Sequence, residues 1–251
     1  MLFKKLKIYL TGGIGNQILQ LLIQIEKALR KNISESNIEI IICKYDNSQP
    51  ERLFHNSQNI TNFINFQKDI EIKFTFEKPK FKPKFNSDNA LRLIFSLNNN
   101  YEKYFKIINN RNKLSKNNNL ILWIRGGDRK FNVKKFEEIV IERFASKDFT
   151  VLTNDKFSLK SYPLLKNKFI EGSPLKDFQS LLETKIIISQ FSGFSLSPFL
   201  LSKLHQTIFL ISKENHSKEE FPYIDNDWEF LMTLLNELNN TNPHKKFTIL
   251  D

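Results

Sequence analysis

Apolar and polar positions alternate in distinct regimes along the chain, and the first regime is a strand, a glycine turn and a helix. KIYL supplies apolar β-formers, TGGIGNQ interrupts them, and Ile18, Leu21, Leu22, Ile25 and Leu29 then recur at helical spacing. IEIIICKY at 38–45 is a continuous β-branched run, as a parallel strand covered on both faces requires. Together these predict a βαβ opening. From 46 to 118 the pattern decays into Asn, Lys and Phe, and EKPKFKPKFN places prolines where neither a helix interior nor a central strand accepts them, so this stretch reads as irregular. Order returns at 119. NLILWIR, VKKFEEIVIERFA, FTVLTND, KFIEG, DFQSLLETK, IIISQFS, SLSPFLLSKL and TIFLIS alternate strand-like and helical patterns before a final helix in DWEFLMTLLNEL. That succession predicts a parallel, Rossmann-like α/β sheet with helices on both faces. The expected organisation is an amino-terminal domain over 1–115, reduced in size and carrying the irregular segment 73–116, followed by a carboxyl-terminal domain over 116–251.

Composition narrows the class. With 251 residues, 40% hydrophobic and 26% charged, the chain is neither disordered nor fibrous. Cys43 is the single cysteine, so an internal disulfide is excluded, and no Cys/His cluster has zinc-ligand spacing. The amino terminus lacks a signal-like apolar core and no apolar run approaches membrane-spanning length, so a cytoplasmic location is expected. The net charge is +11, and residues 73–116, with 11 basic and 3 acidic side chains, hold +8 of it. Phe74, Phe76, Phe81 and Phe85 are interleaved with those lysines, a pattern with three readings: a solvated linker, a contact for the inner face of an anionic membrane, or a groove for single-stranded nucleic acid.

The chemistry concentrates where glycine does. Of 7 glycines, 5 fall at Gly12, Gly13, Gly15, Gly126 and Gly127, each group following a predicted strand. The carboxyl ends of parallel strands are where such sheets bind ligands. TGGIGNQ is neither the dinucleotide fingerprint nor a P-loop. Asn16 and Gln17 instead bring two neutral amides, suited to hydroxyl-rich ligands, with Asn16 also readable as a helix cap. In LWIRGGDRK, Arg125 offers a bidentate fork for a diphosphate, or pairs with Asp128 to order the turn.

At these residues the chain resembles a family. GGIGNQILQ resembles the amino-terminal motif of the alpha-1,2-fucosyltransferases, WIRGGDR their H-x-R-R-G-D motif, LTND their F-S-D-D segment, and SGFS with LSPFLL their S-S-F-S-W-W segment. The resemblance runs from residue 12 to about 201. It implies a GT-B fold, two Rossmann-like domains facing across a cleft, with GDP-fucose as donor, inversion at the anomeric carbon and no obligatory metal or other cofactor. It further implies that Arg125 grips the donor diphosphate and that Ser192, Gly193, Phe194 and Ser195 form the helix start that cradles the phosphates. Asp128 and Asp155 fall in motifs near the nucleotide, and Gly13, Gly15, Asn16 and Gln17 in the motif lining the cleft. The chain departs from the family at Trp123, Gly126, Leu196 and Ser197, which bears on the sugar and acceptor more than on the diphosphate.

Other candidates are weaker. Asp46, Glu51 and His55 are available as a general base on an acceptor hydroxyl. Asp225-Asn226-Asp227 has D-x-D form but precedes the final helix, where Asp227 reads as an N-cap. His205, His216 and His244 are scattered in polar company and read as solvated, with no spacing that makes them ligands together. The expectation is a glycosyltransferase acting on a glycan or lipid-linked glycan. The rivals are a transferase of another nucleotide sugar, a non-catalytic nucleotide-sugar or glycan binder, and a nucleic-acid binder.

Overall fold

The computed structural model describes residues 5–43, 59–76, 99–108, 119–124, 133–144, 147–153, 159, 163–190, 192–211, 236–240 and 242–250. The chain divides into two compact units, Met1–Asn109 and Asn110–Asp251. Both are α/β with parallel sheets.

In the first unit, β1 (Leu6–Leu10) leads through a glycine turn into helix α1 (Ile14–Arg30) and back to β2 (Ile38–Cys43), which pairs parallel to β1. Ile18, Leu21, Leu22 and Ile25 are fully buried, so the helical periodicity marks the face of α1 turned to the core. Every residue of β2 is buried, the apolar ones as their pattern requires and Glu39 with them. The expectation of irregular structure from 46 to 118 is corrected in part. β3 (Ile64–Phe66) and β5 (Phe105–Ile107) form an antiparallel pair, and β4 (Glu71–Thr75) adds a third parallel strand beside β2. β4 escapes an apolar-run search because it is short and half-exposed, with charge at alternate positions. Lys73 Nζ reaches Glu39 at 2.6 Å and Glu71 at 2.9 Å, and Lys5 reaches Glu71 at 2.8 Å, so ion pairs line one face of this sheet.

The second unit is a five-stranded parallel sheet in the order β10-β9-β8-β6-β7, from β6 (Leu120–Ile124), β7 (Thr150–Thr153), β8 (Ile186–Ser189), β9 (Gln206–Ile211) and β10 (Lys245–Leu250). Helices α2 (Val133–Phe144), α3 (Pro163–Lys168), α4 (Pro174–Glu183) and α5 (Gly193–Leu201) fall between its strands in sequence. All five residues of β6 are buried, and their alternation divides the core. Leu120, Leu122 and Ile124 join Ile139, Val140 and Phe144 of α2 and Leu165 of α3. Trp123 points the other way, onto α5. Helices therefore cover both faces. KFIEG is not a strand; Phe169 makes only an isolated parallel bridge to Val151. The final helix is described at 236–240, and a strand not anticipated from the pattern, β10, follows it. Among the described residues no helix is long and apolar enough to cross a membrane.

Candidate functional site

Strand order gives the second unit a crevice of the kind that takes ligands. Numbered along the chain, its strands run second, first, third, fourth, fifth across the sheet, so connections leave β6 and β8 in opposite directions. The carboxyl ends of two such strands bound the crevice in which open α/β sheets take ligands. Trp123, one residue from the end of β6, is in register with Ser189 at the end of β8. Its ring stacks on Phe194 with centroids 4.6 Å apart, and Phe194 meets Phe178 edge-on at 5.9 Å. Trp123 and the turn at 192–195, distant in sequence, thus meet at the carboxyl ends of the strands. Trp123 is 4% exposed and its Nε1 has no hydrogen-bond partner among the described residues. A buried donor left unmade costs about 1–3 kcal/mol, so a ligand oxygen reaching it would recover that cost.

Helix α5 begins beside this ring. Ser192 is its N-cap, the hydroxyl accepting from the Phe194 N–H at 3.2 Å, and the Ser192 carbonyl accepts from Ser195 at 3.2 Å and Leu196 at 2.9 Å. Ser195 is fully buried, its Oγ 2.8 Å from Ser189 Oγ and donating to the Ser192 carbonyl at 3.1 Å. Within the four-residue turn, then, the serine hydroxyls close the helix start, while Gly193 and Phe194 remain half-buried at its mouth. The positive end of the helix dipole favours an anion there. Leu196 and Ser197 are buried inside the unit. Arg125, Gly126, Gly127, Asp128 and Asp155 lie outside the described residues, as do Asp46, Glu51, His55, His216, Asp225 and Asp227.

The glycine turn of the first unit has its own division of labour. Gly12 has φ 82°, a left-handed conformation that favours glycine, and Gly13 is the N-cap of α1 with no capping side chain. The capping reading of Asn16 is therefore corrected: it lies in the first helical turn and is exposed. Gln17 and Gln20, both buried, fold back onto the turn. Gln17 Nε2 donates to the Gly12 carbonyl at 2.7 Å, and Gln20 Oε1 accepts from the Thr11 N–H at 2.7 Å. Of the two amides expected at the ligand, Asn16 faces outward and Gln17 holds the backbone in shape.

The expectation about histidine is corrected in part: His205 and His244 are exposed, as read, but not scattered. His205 and His244 sit side by side, Nε2 to Nδ1 at 2.8 Å, because β9 and β10 start in register immediately after them. Their sequence separation hid a contact that depends on recognising β10. Among the described residues no group of three or more His, Cys, Asp or Glu converges. No family model, curated protein or solved structure matches the chain.

Proposed function

We propose that this protein is an inverting glycosyltransferase of the GT-B class, transferring fucose from GDP-fucose to a glycan hydroxyl during synthesis of a surface polysaccharide. The observation that supports it best is the stacking of Trp123, at the end of β6, on Phe194 in the first turn of α5 at the switch point. In glycosyl transfer the bond from the anomeric carbon to the diphosphate breaks as negative charge grows on the leaving oxygen. Fixed cations and N–H dipoles at that oxygen contribute more to the transition state than to the ground state. In this reading Arg125 supplies the fork, the start of α5 the dipole and Trp123 a further donor. Asn16 contacts hydroxyls, and one of Asp46, Glu51 and His55 takes the acceptor proton. The reaction needs no divalent cation, and the acceptor is held as a lipid-linked glycan near the inner membrane face.

A second reading, a binder or transferase specific for another nucleotide sugar, draws on Leu196 and Ser197. These stand where the family has paired tryptophans and are buried within the unit. A thermal-shift panel separates the two. A ligand at 100 times its dissociation constant stabilises the fold by roughly 2.7 kcal/mol. GDP and GDP-fucose are expected to stabilise more than UDP, ADP or NAD, with slow release of fucose from GDP-fucose in the absence of acceptor. A larger response to UDP reassigns the donor, stabilisation without sugar release favours a binder, and silence across the panel removes the nucleotide-sugar reading.

A further inference from the structure

The amino-terminal edge of the five-stranded sheet, opposite the switch point, carries the paired imidazoles of His205 and His244. Each is the residue immediately before a strand, and the parallel register that sets Lys245 against Gln206 sets the histidines against each other. The backbone is fixed independently of the rings: the Gln206 N–H donates to the His244 carbonyl at 2.9 Å, and the His244 N–H donates to Asn242 Oδ1 at 3.0 Å. Beneath them Gln206 Nε2 donates to the carbonyls of Leu181 at 2.8 Å and Thr184 at 2.7 Å, anchoring the start of β9. Lys245 Nζ donates to the Ser202 carbonyl at 2.7 Å and anchors the start of β10. The rings thus stand exposed on a rigid base.

The spacing of the two nitrogens admits a chelated ion. The facing nitrogens are 2.8 Å apart, yet the ring centroids are separated by only 4.2 Å with the planes at 63°. A straight N–H···N bond between imidazoles would hold the centroids about 5 Å apart. The lone pairs are therefore bent off the line joining the nitrogens. A metal about 2.0 Å from each nitrogen needs them about 2.8 Å apart at a right-angled, tetragonal site and about 3.3 Å apart at a tetrahedral one.

We propose that His205 Nε2 and His244 Nδ1 bind a divalent transition-metal ion, Cu²⁺ or Ni²⁺ in preference to Zn²⁺, with water in the remaining positions. Each nitrogen donates a lone pair to the metal in place of a metal-bound water. The ring that carries N–H toward its neighbour releases that proton to solvent and takes one on its outer nitrogen, so the neutral pair loses none in balance. The ion ties the start of β10 to β9. Because the two histidines are brought together only by the folded sheet, binding stabilises the folded chain. The site lies at the sheet edge away from Trp123 and does not depend on the transferase reading.

The test uses the full chain, stripped with EDTA and desalted, then titrated with CuCl₂, NiCl₂ and ZnCl₂ and followed by calorimetry and thermal unfolding. One equivalent of Ni²⁺ is expected to bind and raise the melting temperature saturably, with affinity in the order Cu²⁺ > Ni²⁺ > Zn²⁺ and no response to Mg²⁺. His205→Ala and His244→Ala should each weaken Ni²⁺ at least tenfold while leaving the metal-free melting temperature unchanged, and His216→Ala should bind as the parent does. Absence of saturable Ni²⁺ and Cu²⁺ binding, or parental affinity in either pair variant, overturns the site.

Discussion

Trp123 carries an indole N–H that folding takes out of water without giving it an acceptor among the described residues. Trp123→Phe keeps an aromatic ring on Phe194 and deletes the donor, so it separates packing from recognition. The unliganded protein should be as stable as the parent or more so, while affinity for GDP falls about tenfold, the worth of one net hydrogen bond. Undiminished affinity in the folded variant would remove Nε1 from the site. Lys245 presents the opposite case, a cation buried with acceptors but, among the described residues, no anion: its Nζ lies 2.7 Å from the Ser202 carbonyl and 5.3 Å from the Phe199 ring centroid. Burial pulls its pKa from 10.5 down to about 8. The folded state therefore holds the proton less tightly than the unfolded chain, so the group costs stability below pH 8 and that cost is relieved as pH rises from 8 towards 10.5. Over the full titration the gain is at most about 3 kcal/mol, since the carbonyls favour the ammonium. Urea midpoints between pH 7.5 and 9.5 should climb in the parent and stay flatter in Lys245→Met. Burial raises Tyr101 to about 12, so its opposing contribution is lost only above this window.

At the scale of elements, the turn from β1 into α1 shows what a motif conceals. TGGIGNQILQ announces a site, yet its polar residues have different duties: Asn16 is exposed, while Gln17 and Gln20 are buried and bonded to the turn backbone. Asn16→Ala should leave the melting temperature unchanged and lower turnover. Gln20→Ala strands the Thr11 N–H and should cost about 1–3 kcal/mol in urea unfolding. Equal loss of stability in both variants would erase the distinction. The same turn marks how far sequence reasoning reaches. β2, β6 and the buried face of α1 were legible because burial dictates every residue or every helical turn of them. β4 and β10 were not, because β4 alternates charge with apolar residues and β10 opens on two lysines: Lys73 is spent on Glu39 and Glu71, and Lys245 on backbone carbonyls. Missing β10 hid the histidine pair. The switch point was legible only as two separate motifs, since strand order, a tertiary property, is what sets Trp123 against Ser189.

On the scale of the whole molecule, charge and exposed aromatic surface coincide in one stretch of sequence. Residues 73–116 hold +8 of the net +11, and the described part of that stretch begins on β4, an edge of its sheet among the described residues. Register continues the buried row of Leu10 and Ile42 onto Phe74, where cover gives out: Phe74 is 50% exposed and Phe76 is 72% exposed. Lysine at an anionic bilayer contributes roughly 1 kcal/mol per residue, and aromatic rings enter the headgroup boundary, so the two features together suit a lipid surface that presents a lipid-linked acceptor. Nucleic acid would use the same lysines but gains from stacking on bases and shows steep salt dependence. In flotation assays the protein should bind vesicles containing phosphatidylglycerol, release them in high salt and ignore neutral phosphatidylcholine. Phe74→Ser with Phe76→Ser should lower partitioning several-fold without changing the GDP response, since neither residue belongs to the nucleotide site. Equal binding to neutral vesicles, indifference to the double substitution, or displacement from vesicles by a short single-stranded oligonucleotide at stoichiometric concentration would each refute the membrane contact, and the last would hand the lysines to nucleic acid.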